Sequence, residues 1–140
     1  ADAGHYQIVK ITPGGQQSVF ASGIYNNPRG LVINSADELF MSNYGGIIKY
    51  QPDGTASVFS SSVAVGIGMV FDSSGDLLVA DFGDDKIFKF KPDGTMTTFS
   101  SQVSGPFGLA FGVPVPEPSV LALVSTLCVF LFRSAKQRAF

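Results

Sequence analysis

One cysteine, one histidine and a charged fraction of only 14% leave this 140-residue chain with little of the usual chemical equipment. A lone Cys128 cannot close an intrachain disulfide, so whatever folds here folds without covalent staples. With His5 as the only imidazole, neither a Ser-His-Asp arrangement with spare partners nor a histidine-rich metal site can be assembled. There is no Asn-x-Ser/Thr sequon, no Walker loop and no dinucleotide fingerprint, and glycine-rich stretches such as Gly66-Ile67-Gly68 fall at strand starts rather than before helices. Residues 1–118 carry six Lys and Arg against eleven Asp and Glu, an acidic excess with no basic patch to attract nucleic acid.

What the chain does have is repetition. Pro13-Gly14-Gly15, Pro52-Asp53-Gly54 and Pro92-Asp93-Gly94 are spaced by 39 and 40 residues, and Phe20, Phe59 and Phe99 follow at the same spacings. Before each turn stands an alternating apolar stretch: Ile8 to Ile11, Ile47 to Tyr50 and Ile87 to Phe90. After it comes a return strand, Ser18-Val19-Phe20, Ser57-Val58-Phe59 or Thr97-Thr98-Phe99, so each turn predicts a hairpin. Gly30 to Ile33, Gly68 to Phe71 and Gly108 to Phe111 align as a further strand, and Leu39 to Asn43 aligns with Leu77 to Asp81. Four short strands per forty residues predict a propeller blade. The recurring Phe59, Phe71, Phe88, Phe90, Phe99 and Phe111 are expected to pack between blades.

Ala1 to Ile8 and Ala80 to Ile87 match position for position, and both resemble the A-D-x-G-x-x-x-I core of NHL-type repeats. The resemblance covers residues 1–112 and implies an all-β, partial β-propeller of four-stranded blades, about three copies with the first and last incomplete. The middle copy departs from it, with Asn43-Tyr44-Gly45-Gly46 in place of the aspartate and a loop two residues shorter. Closed propellers usually have four to eight blades. The chain is therefore expected to be a piece of a longer propeller or a degenerate copy that pairs with another chain.

Residues 113–140 form a second unit. Val115-Pro116-Glu117-Pro118-Ser119 precedes an uncharged apolar run, 119–132, and then Arg133, Lys136 and Arg138. In this order the three parts resemble the PEP-CTERM sorting signal that exosortase-type membrane enzymes process in many Gram-negative bacteria. A helix is the only form of such a run compatible with lipid, so a transmembrane helix is expected over 119–132, with Cys128 as a small lipid-facing residue. The basic residues lie on its C-terminal side only, which places Phe140 in the cytoplasm and the body across the membrane. An exported body needs a signal peptide, and none is visible after Ala1, so further sequence is expected upstream. The expected site is the inner membrane during export, then the cell surface or extracellular matrix.

Two functions compete. In the first, the body binds or scaffolds at the cell surface without catalysis; Asn43, Tyr44 and Phe82 line a shallow binding face, with a surface polysaccharide or a protein as ligand and no cofactor. In the second, it is a metal-dependent lactonase or lyase of the gluconolactonase-like propeller class. That resemblance implies a divalent cation held by rim residues, for which Asp2, Asn43 and Asp81 are the set available. The set is short of the six to eight oxygens of a calcium site, and the alternative role for the aspartate is an Asx-type cap on the following glycine-containing turn.

Overall fold

Alternating apolar residues punctuated by Pro-Asp-Gly turns produce ten strands in a computed structural model of the chain, which describes residues 1–111. β1 (Ile8–Ile11) and β2 (Gln17–Ala21) form a two-stranded sheet. β3 (Leu31–Ile33), β4 (Leu39–Asn43), β5 (Gly46–Tyr50) and β6 (Ala56–Ser60) form an antiparallel meander in chain order. β7 (Gly66–Phe71), β8 (Leu77–Asp81), β9 (Lys86–Phe90) and β10 (Met96–Ser100) repeat it. The body is all-β, as in an arc of a propeller, and among the described residues no helix is long and apolar enough to cross a membrane. The expected helix over 119–132, the segment Val115 to Ser119 and the basic Arg133, Lys136 and Arg138 lie outside the described residues.

In both hairpins with Pro-Asp-Gly, the glycine takes the left-handed backbone, Gly54 at φ 89° and Gly94 at φ 85°, and the aspartate accepts the N–H of Thr55 or Thr95 at 2.8 Å. Past each turn the outer hairpin carries a bulge in one fixed place. Ile8 pairs with Ala21 and Val9 with Val19; Ile47 with Ser60 and Ile48 with Val58; Ile87 with Ser100 and Phe88 with Thr98. The surplus residue is Phe20, Phe59 or Phe99. A bulge re-aims a side chain and increases local twist, and here two of the three rings reach the next sheet: Phe20 meets Tyr50 at 6.0 Å and Phe59 meets Phe90 at 5.8 Å.

The sheets stack through two cores. Ile8, Ile24, Met41 and Tyr50 fill the first; Phe40, Ile47, Val63, Leu77, Val79, Phe88 and Phe90 fill the second, with Phe59, Phe71 and Met69 packed against it. The three repeat isoleucines, Ile8, Ile47 and Ile87, are all buried. Near the inner edge the sheets approach so closely that a Cβ on Gly30 would run into the Ile67 carbonyl, and one on Gly68 would lie 2.7 Å from the Phe107 carbonyl. Two expectations are corrected. Phe99 is 41% exposed instead of packed, because among the described residues no sheet stands over β10. Residues 108–111, expected as the first strand of a further blade, form no strand, because among the described residues no second strand pairs with them; Phe107 to Leu109 lie against Gly68 much as Ile67 lies against Gly30.

A repeated clamp closes the end that carries the hairpin turns. Lys49 Nζ lies 3.0 Å from Glu38, and Lys89 Nζ lies 3.0 Å from Asp72 and 2.8 Å from Asp76. Burial raises the Asp72 carboxyl, but Lys89 Nζ and the N–H groups of Asp76 and Ser74 outweigh it and hold the group below the ordinary carboxylate range. Glu38 is held down by Lys49, Asn34 and Gln51, and Lys89 is pushed up by Asp76 and Asp72. Acids lowered in the fold stabilise it above their unfolded pKa and lose that contribution as pH falls through the folded value; a raised lysine contributes below its unfolded pKa and fades as pH rises through the folded one. Urea midpoints should therefore fall below about pH 4 and again above about pH 10.5. Lys89→Met should cost about 1 kcal/mol at pH 7 and flatten both limbs; a variant that keeps both limbs unchanged would overturn this role.

Candidate functional site

Antiparallel meanders put alternate connections at opposite ends. The turns at 34–38, 51–55, 72–76 and 91–95 emerge at the clamp end; the loops β4–β5 and β8–β9, the loop before β1 and the linkers between sheets emerge at the other. At the clamp end a cleft of about 410 Å³ opens between sheets, but of its charged lining Glu38 is already paired with Lys49, and Asp72 with Lys89. The opposite rim carries Asp2, Asn43 and Asp81.

Asp81 closes β8 and is fully buried. Its carboxylate accepts four backbone N–H groups: Ala64 at 2.8 Å on Oδ2, and Val65 at 3.0 Å, Gly83 at 2.9 Å and Asp84 at 3.3 Å on Oδ1. It joins its own loop to the linker entering the blade. Asp2 repeats part of this pattern, accepting His5 N–H at 3.2 Å, and it also meets His5 Nδ1 at 2.9 Å and Gln7 Nε2 at 3.1 Å. The Gln7 and His5 bonds hold the Asp2 carboxyl below its ordinary value. Asn43 reverses the polarity, its Nδ2 donating to the Tyr25 carbonyl at 3.5 Å. At Asn43 and Asp81 the shared position thus ties the strand end to the preceding linker, and Tyr44 N–H to Asn26 and Phe82 N–H to Val65 repeat the tie in the backbone; Asp2 bonds within its own loop.

These partners fit a cap. A carboxylate offers about four lone-pair sites, so at Asp81 a divalent cation would have to displace N–H donors. Among the described residues no three His, Cys, Asp or Glu side chains stand close enough together to hold a metal. Asp2, Asn43 and Asp81 each bond to their own loop or the linker before it, and no hydrogen bond joins one of the three to another.

The rim's other feature is aromatic. Among the described residues the exposed aromatic side chains are Tyr6, Tyr25, Tyr44, Phe82, Phe99 and Phe107, and all but Phe99 stand on this rim. Tyr44 and Phe82 occupy the same repeat position, directly after Asn43 and Asp81. Phe82 lies over Gly105, whose added Cβ would sit 3.2 Å from the ring, and Gly105 N–H reaches Asp85 at 2.6 Å. Arg29 stacks on Tyr44, its guanidinium carbon 4.4 Å from the ring centre, and Nη2 donates to Tyr44 Oη. Tyr44 and Phe82 belong to the expected binding face; Arg29, Tyr25 and Phe107 join it only because the linkers fold back to the rim. A break in the repeat was the available signal, since Ile67 and Phe107 fill the position of Arg29 in the other copies.

No protein-family model and no curated protein matches the chain. Among solved structures it is similar to virginiamycin B lyase from Staphylococcus aureus, at 19% identity and a TM-score of 0.66, over 77% of this chain and 39% of that one. A streptogramin B lyase aligns at 16% identity and 0.70, over 80% and 40%, and a putative gluconolactonase at 22% and 0.59, over 75% and 47%. The likeness is one of fold, that of lyase- and gluconolactonase-type propellers. The chain spans less than half the length of each of these proteins.

Proposed function

We propose that this propeller arc is a non-enzymatic binding module that takes a surface polysaccharide or protein ligand on the rim bearing Tyr44 and Phe82. One observation carries the reading: the rim exposes five aromatic side chains while its buried carboxylate is committed to backbone N–H groups. Exposed rings along one rim, each with an apolar face and in the tyrosines a polar tip, are the usual mark of a contact surface. The body works outside the cytoplasm, delivered by the C-terminal segment to an exosortase-type enzyme in the membrane; the order of Val115 to Ser119, the apolar run and the basic tail supports that delivery. The paired substitution Tyr44→Ser with Phe82→Ser should weaken binding to a panel of bacterial surface polysaccharides and envelope proteins at least tenfold, measured by biolayer interferometry, with the melting temperature held. Unchanged binding by the double variant would sink the rim reading.

A second reading is favoured by the likeness of fold to the streptogramin lyases and the putative gluconolactonase. There the chain belongs to a metal-dependent lactonase or lyase, and Asp2, Asn43 and Asp81 descend from its metal rim. Titration calorimetry with calcium and zinc separates the two: stoichiometric cation binding accompanied by lactone turnover supports the enzyme, and heat of dilution alone removes it.

A further inference from the structure

We infer that Arg29 and Tyr44 form a subsite for the carboxylate of an acidic saccharide, an inference that rests on the rim being a binding face. Arg29 is held without a counter-ion. Its N–H donates to the Ser42 carbonyl at 2.9 Å, the next N–H, of Gly30, donates to Ser42 Oγ at 3.0 Å, and the guanidinium carbon lies over the Tyr44 ring, 4.4 Å from its centre. The ion pairs among the described residues join Glu38 to Lys49, and Asp72 and Asp76 to Lys89; none involves Arg29. Of the acids on the rim, Asp2 is engaged with His5 and Gln7, Asp81 with four N–H groups and Asp85 with Gly105, and Asp84 stands exposed in the β8–β9 loop with no ion pair to Arg29.

A guanidinium has five N–H donors in a planar fork that matches a carboxylate. Tyr44 Oη takes one of them, and Nε is buried with no acceptor. Burial closes Nε to a ligand, so the two Nη groups are left to meet an incoming carboxylate, with Nη1 free of any acceptor among the described residues and Nη2 holding a second N–H beyond the one given to Tyr44. The fold does not require it: Ile67 and Phe107 fill the same position before Gly68 and Gly108, and Phe82 replaces Tyr44 in the next repeat. Charge and hydroxyl occur together, in one copy.

The rings decide the rest of the ligand. Tyr6, Tyr25, Tyr44, Phe82 and Phe107 are spread over successive blades rather than gathered in one pocket. A row of platforms suits a repeating polymer whose flat apolar faces lie on rings, and an arginine in the row selects a polymer with carboxylates. Uronic-acid polysaccharides have both properties.

The test uses the full chain and two probes, oligogalacturonate and the same oligomer as its methyl ester. The acid form should bind at least tenfold more tightly at low salt, with the preference shrinking as salt rises. Arg29→Gln should abolish the preference for acid over ester; Arg29→Lys should retain part of it, and Tyr44→Phe should reduce it by loosening the guanidinium. Equal binding of acid and ester by the wild type, both lost in the Tyr44→Ser, Phe82→Ser pair, would overturn the carboxylate subsite and leave the rim reading standing. Acid preference that survives Arg29→Gln overturns the assignment to Arg29. Poly-glutamate bound in preference to either oligomer overturns the saccharide class, and no binding of either oligomer overturns the subsite outright. A melting temperature for Arg29→Gln within about 2 °C of wild type excludes misfolding as the cause of a lost preference.

Discussion

Asp81→Ala should unfold the body. The side chain is fully buried and supplies the acceptor for four backbone N–H groups from two separate segments, residues 64–65 and 83–84. Each buried donor left without a partner costs about 1–3 kcal/mol. Water entering the cavity relieves some of this, so a net loss of about 4 kcal/mol or more is expected, against a total stability of about 5–15 kcal/mol for such a domain. Asp81→Asn tests the polarity separately. It keeps the shape but turns an NH2 toward N–H donors, so it should be only partly rescued, although asparagine is native at the equivalent Asn43. There the linker presents the Tyr25 carbonyl instead of N–H groups. Urea unfolding followed by circular dichroism reads both variants; a loss under 1 kcal/mol for Asp81→Ala would show that the cap is dispensable. Because the variant unfolds, lost lactone turnover in it says nothing about catalysis.

The second large effect concerns location. In a host without an exosortase, deleting residues 113–140 should move the protein from the membrane fraction to the soluble extracytoplasmic fraction; a host with the enzyme should release the intact chain by processing it. The run 119–132 is uncharged, and its 14 residues reach roughly 21 Å as a helix, against about 30 Å of hydrocarbon. Such a segment holds a chain weakly unless Arg133 snorkels and the span extends by a few residues. Brevity suits a handle that is cut away. Glu117→Ala, which leaves hydrophobicity untouched, should block processing and trap the full-length chain in the membrane. Fractionation with detection of an N-terminal epitope distinguishes the cases; the deleted chain found in the membrane, or Glu117→Ala processed normally, would end the sorting proposal.

Much of the architecture was legible because propeller repeats write their rules locally. The Pro-Asp-Gly turns demand a left-handed third residue and have it, and the isoleucine after each loop is buried in all three copies. The capping role of Asp81 was also legible as one of two alternatives, since an aspartate before a glycine-containing loop has few other uses. Its reach back to Ala64 and Val65 was not, because strand patterns do not say where a linker returns. The bulges escaped for a related reason. Strict alternation assigns Phe20, Phe59 and Phe99 to a face by counting, and one surplus residue shifts the count without altering composition. Of the rim, Asn43, Tyr44 and Phe82 could be placed from the loop after a strand, whereas Arg29 acquires its role only by stacking on a residue fifteen positions away.

The surplus phenylalanine in each outer hairpin has a further consequence. Beside the buried cores, one supernumerary residue strengthens adhesion between successive units by levering a ring sideways into its neighbour, so this part of the joint is carried by the donor unit and needs only a generic greasy recess in the receiver. Modules joined this way can be duplicated or lost without rewriting both partners. The lengthening and shortening of such arrays over evolutionary time should then follow the unit that owns the lever, and its deletion should separate neighbours while leaving each sheet intact.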